Sequence, residues 1–414
     1  MKNPVISRLS PENWPFSLQW LPQSAYMVGG AVRDAILGRS REYLDLDFII
    51  PDDAVQIAKA IARNYQAGFV LLDAERKIAR VVFPQATADF AQQEGESLIT
   101  DLNRRDFTIN AIAYHPYTQE IIDPLQGCAD ITDGLLRMIS PVNLQDDPLR
   151  LMRAYRQAAQ LGFTIEANTQ ATIRTLATDI QKVAFERVRV EIGYLLANSQ
   201  GTPWLINAWS DGLLSHFFKH ATPTSVQKLA AVDQAFTTLA TTWPQLGEEL
   251  QQPVRDTIKT TWLGIAKLAC LVHPNPELAE TELQERTYSR TESRGVKTAL
   301  KLFPQFKVNL SLREQYFLFQ EAGAFFAATA VLALAENTLV EAIAPLINRY
   351  LNPDDLVAHP TTLLSGEDVI ISLNIPASPK IKKILTEIAV AQAEGKIATK
   401  AEAIAFAQEL VIGD

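Results

Sequence analysis

Two aspartates one residue apart, Asp45-Leu46-Asp47 within the apolar run LDLDFII (44–50), constrain this chain more than any other feature. On a β-strand, residues i and i+2 face the same way, so a strand here projects two carboxylates side by side. Such a pair repels itself unless a positive charge lies between its members. A divalent metal is the natural occupant, and Mg²⁺ prefers carboxylate oxygens combined with substrate phosphates. Upstream, Gly29-Gly30-x-x-Arg33-Asp34 follows a short apolar strand expected over 25–29. A glycine pair after a strand lets the backbone approach a phosphate chain closely. The helix expected over 32–37 then turns its N-terminal N–H groups toward the anion. Taken singly, each motif reads more readily as an ordinary turn or a chance DxD on an edge strand. In this order and spacing they describe a nucleoside triphosphate site served by two metal ions.

Two further constellations follow. In Arg104-Arg105-Asp106-Phe107-Thr108-Ile109-Asn110-Ala111, a helix within 98–113 would put Asp106 and Asn110, at i and i+4, on one face. An acceptor-only carboxylate beside an amide that both donates and accepts suits the two hydroxyls of a ribose. Arg104 or Arg105 offers a guanidinium to phosphate oxygens. The competing reading is a capped helix start with solvated arginines. In Asp146-Asp147-Pro148-Leu149-Arg150, Pro148 suits the first turn of a helix expected over 148–161. Near that start, Asp147 only accepts and Arg150 only donates, a pair able to read a base edge. An N-capping aspartate with an i,i+3 ion pair is the alternative. Arg153 and Arg156 continue the face begun by Arg150 and reach either phosphate or solvent.

The 414 residues exceed what one compact core accommodates. Through about residue 140 the pattern is mixed α/β: a strand over 44–50, a helix over 52–65, a hairpin of 68–73 with 78–83, and short strands near 120–123 and 136–139. From Pro141 onward helical periodicity dominates. Gln320–Glu336 reads as one almost fully apolar, buried helix, and Pro353 and Pro360 mark a linker before a last helical unit. The fold class is therefore α+β, divided as 1–140, 141–200, 201–350 and 351–414.

A net charge of −9 argues mildly against a nucleic-acid partner, although a local basic patch on an acidic protein suffices. Neither a membrane span nor a secretory leader is expected. There are two cysteines, Cys128 and Cys270, far apart in sequence, which argues against a disulfide framework or a zinc site and fits a reducing cytoplasm. His216 and His220 have ligand-like spacing but no carboxylate or cysteine partner, and read as ordinary helix residues. No GxxxxGK[ST] run supports a P-loop NTPase.

Gly29-Gly30-Ala31-Val32-Arg33-Asp34, Asp45-Leu46-Asp47, Arg104–Ala111 and Asp147-Pro148-Leu149-Arg150 occur in the order of the class II tRNA nucleotidyltransferase and bacterial poly(A) polymerase family, which this chain resembles. Glu186-Arg187-Val188-Arg189-Val190-Glu191 is similar to that family's structural ERxxxE helix. Ile122-Asp123-Pro124 with Asp133–Arg137 resembles its hinge between head and neck. The resemblance implies a polymerase-β-like catalytic head, a mixed sheet with helices, followed by an all-α neck that recognises the base, a body and a tRNA-binding tail. It implies two Mg²⁺ ions held by Asp45 and Asp47, ribose contacts from Asp106 and Asn110, and pairing of the incoming CTP or ATP base with Asp147 and Arg150. Asp89 is the candidate third metal carboxylate, and Lys380, Lys382 and Lys383 are candidate RNA contacts that otherwise form a solvated face.

Three departures from the family pattern stand out. Asp146 replaces the usual Glu, and the usual RAVRF reads Arg153-Ala154-Tyr155-Arg156-Gln157. The Tyr- and Arg-rich flexible loop of full CCA-adding members is also missing, because the segment from Phe83 to Phe90 runs almost directly into GESLITDLNRRD. The shortened loop resembles the CC-adding branch, in which a separate enzyme supplies the terminal A. The expected activity is template-independent addition of C, and possible addition of A, to the tRNA 3′ end with release of pyrophosphate. Poly(A) polymerase is the nearest rival, although the chain ends AFAQELVIGD rather than in a basic extension. Other rivals are an inactive RNA-binding protein on this scaffold, against which the intact motif set argues, and an antibiotic-type nucleotidyltransferase, which needs no base-reading pair.

Overall fold

The computed structural model describes residues 4–39, 43–255, 259–307 and 309–412. They form two compact units, one of Met1–Ala184 with Ala208–Leu213, the other of Phe185–Asn207 with Leu214–Asp414.

The first unit is built on a seven-stranded sheet: β1 (Tyr26–Val28), β2 (Leu44–Ile50), β3 (Gly68–Asp73), β4 (Ile78–Phe83), β5 (Ala86–Gln92), β6 (Ala113–His115) and β7 (Glu120–Ile122), in the order β3-β4-β5-β2-β1-β6-β7. All neighbours are antiparallel except β2 and β5, which run parallel. The first half of β2 alternates, with Leu46 buried and Asp45 exposed, whereas Phe48, Ile49 and Ile50 are buried on both faces. Phe48 and Phe90 are partners in the β2–β5 register and stack with ring centroids 5.4 Å apart. Trp14 and Phe16 close over them. Because side chains alternate along a strand, slipping the register by one residue would drive the neighbouring aspartates into this aromatic cluster.

Among the described residues the helices of this region are α1 (Pro4–Leu9), α2 (Gly30–Ile36), α3 (Ala54–Asn64), α4 (Leu98–Asn103), α5 (Gly127–Asp133), α6 (Pro141–Asp146), α7 (Leu149–Leu161), α8 (Ala167–Leu176) and, opening the second unit, α9 (Phe185–Leu196). Ala54, Ala58, Ile61 and Ala62 form the buried stripe of α3, and its neighbour Val55 is half-buried. The pair β8 (Leu135–Leu136) and β9 (Thr164–Ile165) forms a separate parallel ribbon.

Several expectations need correction. Asp106 and Asn110 do not share a helix: α4 stops at Asn103, Phe107 is extended and Thr108–Asn110 is a single 3₁₀ turn. Tertiary pairing overrides helical propensity there, since Thr108 N donates to Arg137 O at 3.0 Å and Ile139 N to Asp106 O at 3.1 Å. Asp89 lies after β4 inside a further strand, β5, that the sequence reading did not assign. Helix α7 begins one residue after Pro148, and Asp147 closes α6 in an extended conformation. His216 and His220 occupy turns, not a helix; His216 stacks on Phe185 and His220 packs edge-on against His273.

The second unit is helical: α10 (Thr202–Ser210, its end returning to the first unit), α11 (Pro223–Thr242), α12 (Pro244–Gln251), α13 (Trp262–Ala269), α14 (Pro276–Glu285), α15 (Arg290–Leu302), α16 (Leu312–Ala322), α17 (Phe326–Ala335), α18 (Val340–Tyr350), α19 (Gly366–Leu373), α20 (Pro379–Ala393) and α21 (Lys400–Ile412). The apolar helix expected over 320–336 is broken at Gly323, where α16 gives way to a 3₁₀ turn and then α17. By length and composition the 24-residue run Leu312–Ala335, which contains an 18-residue window of mean hydropathy 1.6, resembles a membrane span. Here α17 is instead a core helix, with Phe326–Ala333 buried against α11, α13 and α15. The last three helices enclose their own core of Val369, Ile384, Ile388, Ala403 and Ala407.

One buried network in the first unit can be tested directly. Tyr155 on α7 is fully buried and donates through Oη to Asp211 Oδ2 at 2.5 Å. Asp211 also accepts from Arg174 Nε at 2.6 Å and Gln170 Nε2 at 2.9 Å. Replacing Tyr155 by Phe removes a donor from a buried carboxylate and is expected to cost about 1–3 kcal/mol. Urea unfolding should show a lower midpoint at unchanged slope; an unchanged midpoint would show that this bond contributes nothing net.

Candidate active site

Asp45 and Asp47 project from one face of β2, as their spacing requires. On the adjoining strand, Thr87 Oγ1 donates to Asp45 Oδ1 at 2.7 Å, and Asp89 is the register partner of Asp47. Arg80 of β4 grips both oxygens of Asp89, each at 2.7 Å. Burial, then the charges of Asp45 and Asp89, push the Asp47 carboxyl up to about 7. Gly29 faces this group: its φ is +73°, and a Cβ there would lie 3.0 Å from Asp47 Oδ2. Any side chain at this turn would be both strained and in contact with the carboxylate.

These donors fit a hard divalent cation. All are oxygens, and the raised Asp47 marks a place where negative charge lacks a partner. Among the described residues no three His, Cys, Asp or Glu side chains converge into a complete cage. Asp89 is paired with Arg80, so in this arrangement substrate phosphates and water would supply the remaining ligands, as is usual for Mg²⁺ at nucleotide sites. Sequence reading missed Thr87 and Arg80, because the β4–β5–β2 pairing that delivers them leaves no spacing signature.

The two arginines after α4 diverge. Arg105 sits beside Asp47, reaches Asp101 at 3.5 Å, and has a buried Nε with no hydrogen-bond partner. Arg104 turns away to Glu94 at 3.1 Å and is largely exposed. Of the pair, Arg105 is the one aimed at a ligand on the carboxylates.

Asp106 and Asn110 do meet, although across a turn rather than along a helix. Asn110 Nδ2 donates to Asp106 Oδ1 at 2.9 Å and to Gln157 Oε1 at 3.0 Å. Its Oδ1 accepts from Arg33 Nη1 at 2.7 Å. Arg33 also holds Asp34 Oδ1 through Nε at 2.9 Å and Nη2 at 2.8 Å, and is buried as a strut between α2 and the 3₁₀ turn. Arg153 Nη1 reaches Asp106 Oδ2 at 3.1 Å. Burial alone would raise the Asp106 carboxyl, yet Arg153, the Asn110 hydrogen bond and Arg150 together hold it below its ordinary value. The 3₁₀ turn is pressed from behind by α5, where a Cβ on Gly127 would lie 2.3 Å from Thr108 O.

Arg150 is clamped by backbone: Nη1 donates to Arg104 O at 2.9 Å and Asn143 O at 2.8 Å. Its Nε is buried without a partner, and burial pulls the guanidinium below its ordinary value. Asp147 is half-buried, and its carbonyl accepts from Arg150 N at 2.9 Å. Arg156 lies one turn beyond Arg153 and donates to Gln160 Oε1 at 2.8 Å. In the second unit, Lys382 and Lys383 are exposed on the first turn of α20 and Lys380 is half-buried.

Comparison with known proteins shows the family. Residues 25–137 match the model of the Poly A polymerase head domain, 162–224 that of the RNA and SrmB-binding site of polymerase A, and 257–407 that of tRNA nucleotidyltransferase domain 2. A CC-adding tRNA nucleotidyltransferase of Synechocystis sp. is 47% identical over 401 residues, 96% of each chain. Another, of Geobacter sulfurreducens, is 29% identical, covering 92% of this chain and 90% of its own. A solved CCA-adding enzyme superposes with a TM-score of 0.70 at 20% identity, covering 94% of this chain and 90% of that one, which shows the shared fold. The chain belongs to the class II tRNA nucleotidyltransferase and bacterial poly(A) polymerase family.

Proposed function

We propose that this enzyme adds C residues to the 3′ end of tRNA from CTP, without a template, and leaves the terminal A to a separate enzyme. The observation that carries this reading is the connection between β5 and α4, only residues 93–97 long. It occupies the place where full CCA-adding members of the family carry the flexible loop that reshapes the pocket from C to A. Two relatives aligned over nearly the whole chain are named CC-adding enzymes, which supports the same choice.

In the reaction, the RNA 3′-hydroxyl oxygen forms a bond to the α-phosphorus of CTP. The bond from that phosphorus to the β-phosphate oxygen breaks, pyrophosphate leaves, and the hydroxyl proton passes to solvent. Asp45 and Asp47 would hold two Mg²⁺ ions, which when bound supply charge neutralisation for the triphosphate and a lowered pKa for the hydroxyl. Asp89, freed from Arg80, is the candidate third carboxylate. The Gly29-Gly30 turn lets backbone approach the phosphates and Arg105 adds a guanidinium there, while Arg33 braces Asn110 from within the fold and Arg104 and Arg156 are engaged by Glu94 and Gln160. Asp106 and Asn110, held by Arg153, face the ribose. Asp147 and Arg150 read the base: a clamped Arg150 presents fixed donors, and a rigid donor set discriminates better than a mobile one. The division into head (1–140), neck (141–200), body (201–350) and tail (351–414) assigns tRNA binding to the tail, with Lys380, Lys382 and Lys383 as backbone contacts. The setting is the cytoplasm, in keeping with the free thiols of Cys128 and Cys270.

Purified enzyme with Mg²⁺ and tRNA lacking CCA should grow by two C residues and stall before A when both CTP and ATP are supplied. A completed CCA end would sink the CC-adding reading, and long A tails would favour poly(A) polymerase. Asp45→Ala and Asp47→Ala should abolish addition while tRNA affinity changes little; an active variant would remove the metal assignment. Mg²⁺ should also raise the melting temperature of the wild type. Asp47→Asn should melt higher than wild type without metal and lose the Mg²⁺ response; a full response in that variant would place the ions elsewhere. Arg150→Ala should relax CTP over ATP discrimination by about tenfold or more, the worth of a lost charged hydrogen bond; unchanged discrimination would count against base reading.

A further inference from the structure

The hydrogen-bond shell of Asn110 assigns a role to Gln157, a residue at which this chain departs from the family pattern. Arg33 is a donor only and faces Asn110 Oδ1 at 2.7 Å, whereas Asp106, held ionised, is an acceptor only and faces Nδ2 at 2.9 Å. These two partners fix which end of the Asn110 amide is which. The second N–H of Nδ2 then points at Gln157, which must present its oxygen, and does so at 3.0 Å. Gln157 is itself 7% exposed, on the same helix as Arg150 and Arg153. With both N–H groups of Asn110 consumed and one lone pair of Oδ1 engaged, the amide retains a single function toward a ligand: accepting one further hydrogen bond at Oδ1.

We propose that Gln157 is a positioning residue for sugar selection. By taking the second N–H of Asn110 it leaves that amide as a pure acceptor, suited to a ribose hydroxyl and useless to a deoxyribose carbon. It also ties the amide to α7, so that sugar contact and base reading move as one piece. The proposal rests on the reading of Asn110 as a ribose contact, and the two can be separated by experiment. An apolar side chain at position 157 leaves a buried N–H without a partner, and that N–H is satisfied only if the amide shifts or rotates.

The test compares kcat/KM for CTP and for 2′-deoxy-CTP on tRNA lacking CCA, using the full-length enzyme. In Gln157→Met, of similar volume but without the acceptor, kcat/KM for CTP should fall about tenfold while that for 2′-deoxy-CTP changes less than about twofold. Gln157→Glu keeps an acceptor oxygen at the same reach and should restore most of the preference. Gln157→Asn, one methylene short, keeps the polarity but not the reach and should behave like Gln157→Met. Selectivity of Gln157→Met at the wild-type level would overturn the proposal. So would equal losses for both nucleotides, since a general packing defect does not distinguish sugars. If Asn110→Ala abolishes sugar preference and Gln157→Met preserves it, the positioning role fails and the ribose reading survives. If Asn110→Ala leaves the preference intact, the ribose reading fails first, and the proposal with it.

Discussion

The rest of the first unit depends on placing the parallel pair β2–β5 so that one face is aromatic and the other anionic. Phe48 and Phe90 stack on one side, and Asp47 and Asp89 stand opposite each other on the other. The aromatic stack supplies burial that fixes register, and the fixed register then holds the carboxylates at a separation they would not choose. Their repulsion is relieved in part by Arg80 on Asp89 and in part by Arg105 beside Asp47. What relief the protein does not provide is the opening for a cation: burial first, and then the charges of Asp45 and Asp89, push the Asp47 carboxyl up to about 7.

The second cluster solves a different problem. Arg33, Asn110, Asp106, Arg153 and Gln157 come from α2, a 3₁₀ turn, the strand-like segment before it and α7, and each buried polar atom that approaches another finds a complementary partner. Partly satisfied networks in a low-dielectric interior are costly, whereas satisfied ones specify a single geometry. The network thereby holds the helix that carries Arg150 against the turn that follows the catalytic strand region. On the proposed reading, base and sugar contacts would then be set by one framework rather than by independent loops, a condition for discriminating nucleotides by fixed hydrogen bonds.

Much of this was legible in the sequence, for definite reasons. The Asp45-x-Asp47 spacing needs only the two-residue period of a strand, and the hairpin over 68–73 and 78–83 carries its own alternation and turn. Asp106 and Asn110 were recognisable as partners, but the reason was wrong: an i,i+4 spacing also allows contact across a 3₁₀ turn, and Phe107 chose pairing with Met138 over helix. Strand β5 was unreadable because ATADFAQ is poor in the branched and aromatic residues that mark strands. With it went Thr87, and the true neighbourhood of Asp89. Arg80 and Gln157 were illegible as site residues, since their meaning arises only from strands and helices brought together by the fold.

The hidden strand also bears on the loop argument. Once residues 86–92 are counted as sheet, what remains between the carboxylate-bearing strands and α4 is shorter than the sequence alone suggested. That remainder is further pinned: Gln93 N donates to Ile50 O at 2.8 Å, and Glu94 N donates to Asp101 Oδ1 at 2.9 Å. Glu94 also holds Arg104 at 3.1 Å. A segment tied at successive residues to β2, α4 and the arginine after it has no slack with which to swing. A lever that reshapes the base pocket between one nucleotide and the next needs such slack. Arg104 O, at the end of those ties, also holds Arg150 at 2.9 Å. The residue proposed to read the base is thus anchored to the same short segment, which suits an enzyme proposed to add one kind of base.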